Sequence, residues 1–186
     1  MAVWLFGSRA TDCARTDSDW DVLVLAPRVS DFHRHRWAHV DLITVRWPSP
    51  NPQRWLTSEL AVHVSAFGKL IHDHDIRDHD IWDHADWTKH VDVDAATHLK
   101  IMRTQKRMTA YTNAAPNLSS PVLKRRSVML RRDFQRIDAL RTKGIVPPSA
   151  WLDDEWRQRS HSARRCMMQN YGADPSSILF NHLIAA

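Results

Sequence analysis

The sequence predicts an α+β protein, in which a small mixed β-sheet domain is followed by an all-α helical bundle. Short runs of β-branched and apolar residues, bounded by glycine or proline, occur only before Asp73. From Asp94 onward the strand signal disappears, and long segments with helical spacing follow. The length of 186 residues allows one or two small domains, which accommodates both parts.

The first part of the chain alternates strand and helix patterns. The first apolar run stops at Gly7 and the second stops before Pro27, as expected for strands that end in turns. The small, polar residues between them predict a loop. We predict, in chain order, a strand, a loop, two strands, a helix and a last strand, at residues 2–6, 8–18, 19–25, 39–46, 54–65 and 67–72.

The second part consists of helical segments separated by breaker residues. Asp92 or Asp94 is placed to cap the first helix, and Gly144 is placed to end the second. We predict four helices, at residues 94–113, 120–143, 150–170 and 174–183. Short connections between them favour a bundle of antiparallel neighbours.

The sign of the charge also changes near the boundary between the two predicted parts. The segment 73–94 holds eight aspartates against Arg77 and Lys89, whereas the segment 99–143 holds twelve lysines and arginines against two aspartates. The basic segment suits phosphate-bearing ligands, and it equally suits the solvated outer face of helices. We therefore expect a domain at 1–74, an acidic linker at 75–93 and a helical domain at 94–186.

Composition excludes several classes of protein. Two cysteines far apart, Cys13 and Cys166, form neither a disulfide framework nor a metal-ligand spacing. The apolar run at the N-terminus is too short for a signal peptide, and no stretch reaches the length of a membrane span. We expect a soluble, cytoplasmic protein with no membrane partner.

Three aspartates form the pattern that indicates a functional site. Asp19 and Asp21 are two residues apart at a predicted strand, so both carboxylates face one side. Asp41 lies in the next predicted strand and adds a third carboxylate if the two strands are neighbours. Such oxygen ligands suit Mg²⁺ with a bound nucleoside triphosphate. Solvated carboxylates at a polar strand edge, or a structural role for Asp41, are the alternatives.

The turn after the first strand supplies a second part of the pattern. Gly7 allows backbone amides to approach phosphate closely, and the hydroxyl of Ser8 adds a donor. With these residues in place, the segment LFGSRATDCARTDSDWDVLVL resembles the signature of the DNA polymerase β superfamily of nucleotidyltransferases. Within that superfamily the pattern resembles the minimal nucleotidyltransferases, and the segments VDLITV and SAFGKLIHD extend the resemblance over residues 1–74.

The resemblance implies a reaction and a set of roles. A nucleoside monophosphate would pass from a nucleoside triphosphate, most simply ATP, to an acceptor, with release of pyrophosphate. Asp19 and Asp21 would bind two Mg²⁺ ions, with Mn²⁺ as an alternative, and Asp41 would bind one ion and help deprotonate the acceptor. Ser8 and the Gly7 backbone would hold the terminal phosphates. Arg9 would counter phosphate charge, or it is a solvent-facing loop residue.

Members of this family usually have a helix before the first strand, whereas here the strand begins almost at Met1. We therefore expect either that the C-terminal helices cover that flank of the sheet or that the chain is a shortened relative with impaired activity.

The acceptor is less well defined by the sequence. A protein side chain or an RNA end, reached through the basic segment 99–143, is expected first, and an aminoglycoside antibiotic second. A non-catalytic module that binds nucleotide or neutralises a partner, of an antitoxin type, is the alternative function. Arg77 and His84 have the spacing of RNA-cleaving HEPN partners, but they fall in the acidic segment, so we predict no nuclease activity.

Overall fold

The computed structural model describes residues 1–29, 37–73 and 86–185. The chain divides into two compact units, Met1–Ala96 and Thr97–Ala186. The first contains a four-stranded sheet, and the second, as far as it is described, contains only helices. The predicted α+β fold class is therefore confirmed. Arg77, His84 and most of the predicted linker lie outside the described residues.

The sheet of the first unit brings the predicted strands together in the order β3-β2-β1-β4. Strand β1 pairs antiparallel with β2 and with β4, whereas β2 and β3 run parallel. The parallel pair confirms that the two strands expected to bear carboxylates are neighbours. The strands are β1 (Ala2–Phe6), β2 (Trp20–Ala26), β3 (Val40–Arg46) and β4 (Lys69–Asp73).

A four-residue helix occupies the start of the segment predicted as a loop. Helix α1 (Gly7–Ala10) directly follows β1, so the prediction of a loop over 8–18 is wrong at its start. The hydroxyl of Thr11 donates to the carbonyl of Gly7 over 3.1 Å, which closes this single turn. A helix so short leaves no periodic pattern of apolar residues from which it could be predicted.

The helix predicted at 54–65 consists of two helices, α2 (Gln53–Leu56) and α3 (Glu59–Phe67). Ser58 separates them because its hydroxyl accepts a hydrogen bond of 3.0 Å from the amide of Ala61 and begins a new helix. After the described residues resume, a 3-10 helix covers Asp86–His90.

The helices cover one face of the sheet. Residues that pair across neighbouring strands point to the same face, and Phe6 pairs with Asp21, which in turn pairs with Asp41. This places both aspartates on the helix-covered face, at the end where the apolar packing stops. The packing includes Ala2, Trp4, Phe6, Leu23 and Leu25 from the sheet, Trp47 after β3, and Trp55, Leu56, Ala61, Val64 and Trp87 from the helices.

The second unit is built from helices with recognisable termini. The amide of Ala95 donates over 2.9 Å to Asp92, which confirms one of the two predicted caps. Gly144 ends the second long helix with φ +66°, also as predicted. The helices are α4 (Val93–Ala114), which starts in the first unit, α5 (Ser120–Lys143), α6 (Ser149–Gln158), α7 (His161–Asn170) and α8 (Ile178–Ala185).

Two of these helices differ from the prediction. The helix expected at 150–170 is divided, because Ser160 accepts a hydrogen bond from the amide of Ala163 and starts α7 anew. The last helix begins at Ile178 rather than near Asp174, since Asp174 and the serines that follow it form a turn. No helix within the described ranges combines the length and the apolar character needed to cross a membrane.

Buried and half-buried ion pairs link helices of the second unit and use part of its basic segment. Asp133, only 3% exposed, binds Lys100 on α4 over 2.7 Å and also binds Arg107. Asp153 on α6 binds Arg131 and Arg132 of α5. Four of the cations that the sequence presents as one basic block therefore neutralise carboxylates inside the unit.

Candidate active site

The site begins at the turn that joins β1 to α1. Gly7 has φ +69°, a left-handed conformation that residues with a Cβ rarely adopt. A Cβ built on Gly7 would lie 2.0 Å from Oδ2 of Asp21, far inside van der Waals contact. Glycine is therefore required at this position both by its backbone angle and by the carboxylate packed against it.

Asp21 and Asp41 form the centre of the site. They are direct partners in the parallel ladder between β2 and β3, so their side chains leave the same face of the sheet. Partial burial raises the pKa of the Asp21 carboxyl, and the negative charges of Asp41 and then Asp19 raise it further. Neither carboxylate has a hydrogen bond or an ion pair with any of the described residues.

Asp19 lies immediately before β2 and is more open to solvent. Its side chain is 64% exposed, and Oδ1 lies 3.5 Å from Nδ1 of His39. His39 itself has φ +62°, an uncommon angle for a residue with a Cβ, and its carbonyl accepts a 2.7 Å hydrogen bond from the amide of Trp20. This bond ties the segment before β3 to the first residue of β2.

The donor set suits a hard divalent cation, although it does not form a closed cage. Two neighbouring carboxylates without a cationic partner repel each other, and a cation between them would remove that repulsion. Within 1–29, 37–73 and 86–185, no group of three His, Cys, Asp or Glu side chains is close enough to hold a metal ion as it stands. The set of three ligands Asp19, Asp21 and Asp41 thus stays a prediction.

Ser8 and Arg9 follow the glycine in α1. The hydroxyl of Ser8 has no hydrogen bond to a described residue, so it is available to a ligand. The guanidinium of Arg9 donates from Nη2 to the carbonyl of Ser18 over 2.6 Å and lies 4.3 Å from the ring centre of Trp20. Arg9 therefore braces the loop that leads to Asp19, and its predicted contact with phosphate is untested.

His63 is a component of the site region that the sequence analysis did not identify. It lies on α3, is 7% exposed, and its Nε2 accepts a 3.3 Å hydrogen bond from the amide of Gly7. The Gly7 amide, which was expected to face phosphate, is thus already bound to protein. A single histidine among the apolar residues of a helix resembles an ordinary core residue, so only the three-dimensional contact reveals it.

The exposed cations of the helical unit are fewer than the sequence suggests. Arg103 and Lys106 on α4, and Lys124 and Arg125 on α5, are exposed and have no ion pair with a described residue. Arg126 lies over the ring of Tyr111, 4.8 Å from its centre. These side chains, together with Lys143 at the end of α5, belong to the part of the basic segment that remains open to a partner.

Comparison with known proteins agrees with the geometry. A family model described as a nucleotidyltransferase domain matches residues 1–114, from Met1 to the last residue of α4. The match includes Gly7, Ser8, Arg9, Asp19, Asp21, Asp41 and His63. No curated protein matches the chain at a significant level.

Proposed function

The chain belongs to the nucleotidyltransferase domain family, and on that premise we propose that it transfers a nucleoside monophosphate from a nucleoside triphosphate, in the first instance ATP, to an acceptor hydroxyl. The observation that carries this proposal is the carboxylate pair Asp21 and Asp41, which is held in register beside the turn at Gly7 and has no hydrogen bond or ion pair to a described residue. Family membership supports nucleotidyl transfer in general, and the carboxylates support its dependence on a divalent metal.

In the proposed reaction, the hydroxyl oxygen of the acceptor attacks the α-phosphorus of the nucleotide. The bond from that phosphorus to the oxygen bridging to the β-phosphate breaks, and pyrophosphate leaves. The proton of the hydroxyl passes to Asp41, which we assign as the base. Bound Mg²⁺ would lower the pKa of the acceptor hydroxyl and neutralise charge on the leaving pyrophosphate.

Residues of this chain would supply the ligands and the alignment. Asp19 and Asp21 would bind both metal ions and Asp41 one of them. The hydroxyl of Ser8, which has no hydrogen bond to a described residue, would donate to the terminal phosphates. Arg9, which holds the loop before Asp19, contributes to alignment through that loop.

For the acceptor we propose a protein side chain or an RNA end, with an aminoglycoside less favoured. Support comes from the exposed cations Arg103, Lys106, Lys124 and Arg125, because they suit an acidic or phosphate-bearing partner. A polycationic antibiotic would find no attraction at these four side chains.

The proposal is tested with nucleotides labelled at the α-phosphate. Purified protein is incubated with each of the four ribonucleotides, with Mg²⁺, Mn²⁺ or EDTA, and with RNA, a mixture of proteins or an aminoglycoside as acceptor. We expect metal-dependent transfer of label to one class of acceptor, reduced by about a hundredfold or more in Asp21→Asn and Asp41→Asn. Asp12→Asn is the matched control, since Asp12 is an exposed carboxylate that contacts Lys69.

Two outcomes would contradict the proposal. Equal transfer by the wild-type protein and Asp21→Asn would exclude the carboxylate pair from the chemistry. Metal-dependent binding of nucleotide without transfer to any acceptor would favour the alternative function, a non-catalytic module that binds nucleotide or a partner protein.

A further inference from the structure

The buried imidazole of His63 contacts the backbone of the proposed site. Its Nε2 accepts the amide hydrogen of Gly7 over 3.3 Å, although the two residues are far apart in sequence. The ring lies between Phe6 and Phe67, with ring centres 6.2 and 5.4 Å away. These aromatic neighbours restrict the orientation of the imidazole and hold Nε2 toward the turn.

The amide of Gly7 needs an acceptor because it lies where β1 ends and α1 begins. Backbone amides that are removed from water are almost always hydrogen-bonded. The carboxylate of Asp21 is an acceptor immediately beside the same residue, since its Oδ2 fills the position where a Cβ would be. An amide released from His63 would have Asp21 as the alternative partner.

From this arrangement we propose that His63 is a positioning residue of the nucleotidyl-transfer site, which fixes the left-handed turn at Gly7 and keeps the Gly7 amide away from Asp21. The inference rests on the proposed function. Its consequence is that both oxygens of Asp21 stay available to a metal–nucleotide complex and that Ser8 stays aligned with them. His63 touches neither substrate nor metal in this account and acts only through the backbone of Gly7.

The identity of the side chain follows from the same contact. A leucine or phenylalanine would fill the space beside Phe6 and Phe67 but would offer no lone pair to the amide. A lysine would offer only donors. Histidine fills an aromatic space and accepts a hydrogen bond, provided that Nε2 carries no proton.

The hydrogen bond itself can be measured without any assumption about activity. In ¹⁵N-labelled protein, nuclear magnetic resonance should detect scalar coupling between the Gly7 amide nitrogen and Nε2 of His63, and a ¹⁵N shift typical of an unprotonated Nε2. A protonated Nε2, or absence of the coupling in a spectrum that resolves both nitrogens, would overturn the inference.

The positioning role is tested by variants that separate volume from hydrogen bonding. His63→Phe keeps a ring and removes the acceptor, whereas the side-chain oxygen of Gln in His63→Gln can reach the position of Nε2. Val64→Ala is the matched control, because Val64 lies on the same helix, is fully buried and has its side chain beside Gly68. The readouts are the dissociation constant of Mg–ATP and the melting temperature.

We expect His63→Phe to weaken binding of Mg–ATP by about tenfold, the size expected for loss of one buried hydrogen bond. His63→Gln should retain affinity to within about threefold. Val64→Ala should lower the melting temperature without a change in affinity, which separates positioning from general loosening of the core.

The outcomes distinguish this inference from the proposed function. If wild-type protein binds Mg–ATP and His63→Phe binds it equally well, the positioning role is wrong and the proposed function stands. Equal loss of affinity in the Phe and Gln variants would also overturn it. If the wild-type protein binds none of the four nucleotides, both proposals fail, and the coupling measurement still decides whether the hydrogen bond exists.

Discussion

Asp21 occupies the space that a side chain at Gly7 would need: a Cβ there would lie 2.0 Å from Oδ2 of the carboxylate. The turn at Gly7 and the position of the Asp21 carboxylate therefore depend on each other. A left-handed glycine after β1 leaves room for Asp21, and Asp21 excludes every larger residue from the turn. This relationship joins two motifs that lie fourteen positions apart in the sequence.

The first prediction concerns this contact. Gly7→Ala should abolish nucleotide binding and lower stability by more than the ~1 kcal/mol cost of a left-handed angle alone, because the added methyl displaces Asp21. Gly172→Ala is the matched control, since Gly172 has φ +76° and no atom of the described residues lies within 4 Å of the added Cβ. Denaturant unfolding and Mg–ATP titration of both variants provide the measurement. Similar losses in both would show that the carboxylate contact is unimportant.

The second prediction follows from the raised pKa of Asp21. Burial first, and then Asp41 and Asp19, raise this pKa above its ordinary value of 3.8, so the folded state holds the proton more tightly than the unfolded state. The ionised carboxylate consequently costs stability, and that cost grows as the pH rises from 3.8 through the folded-state pKa.

Asp21→Asn should therefore be more stable than wild type at pH 7, by at most about 1 kcal/mol because the side chain is partly screened by solvent. The gain should disappear at a pH below the ordinary pKa of an aspartate. Mg²⁺ should reduce the difference in stability between Asp21→Asn and wild type at pH 7, because it should stabilise only the wild-type protein. Thermal unfolding across pH, with and without Mg²⁺, checks this, and a variant less stable than wild type at pH 7 would contradict it.

The third prediction concerns the helical unit. Asp133→Asn removes the buried charge that balances Lys100 and Arg107 and should cost about 3–5 kcal/mol, typical of breaking a buried ion pair. Asp154→Asn breaks an exposed pair with Arg157 and should cost less than about 1 kcal/mol. Urea unfolding followed by circular dichroism measures both. A small effect of Asp133→Asn would show that the pair contributes little.

The fourth prediction tests the surface proposed for the acceptor. Replacing Arg103 and Lys106 together by serine should reduce transfer to a protein or RNA acceptor severalfold, while the affinity for Mg–ATP stays unchanged. Arg54→Ser, at an exposed cation on α2, is the control and should affect neither. Initial rates over a range of salt concentrations measure the effect. Loss of ATP affinity in the double variant would assign these residues to nucleotide binding instead.

The strands were predictable because their signals are local: apolar runs that stop at Gly7 and Pro27 define β1 and β2. That Asp19 and Asp21 share one face stays a prediction, because Asp19 lies before the first residue of β2. That Asp41 would lie opposite Asp21 depended on pairing between β2 and β3, which the sequence suggested only through the order of the strands.

Other features depend on contacts that no local pattern records. The role of His63 requires α3 to pack beside β1, and the short helix α1 requires the turn at Gly7. The number of cations in the basic segment can be read from the sequence, but the number that is open to a partner cannot. Asp133 and Asp153 neutralise four of these cations. The division between α6 and α7 was missed, although Ser160 is a good capping residue.

The central claim is that the carboxylate pair supports transfer of the α-phosphoryl group with its nucleoside. The most direct measurement compares ATP labelled at the α-phosphate with ATP labelled at the γ-phosphate, in the presence of Mg²⁺ and the acceptor class identified by screening. We expect the α-label to appear in the acceptor, the γ-label to appear in an equal amount of pyrophosphate, and Asp21→Asn to produce neither. Appearance of the γ-label in the acceptor, or undiminished transfer by Asp21→Asn, would contradict it.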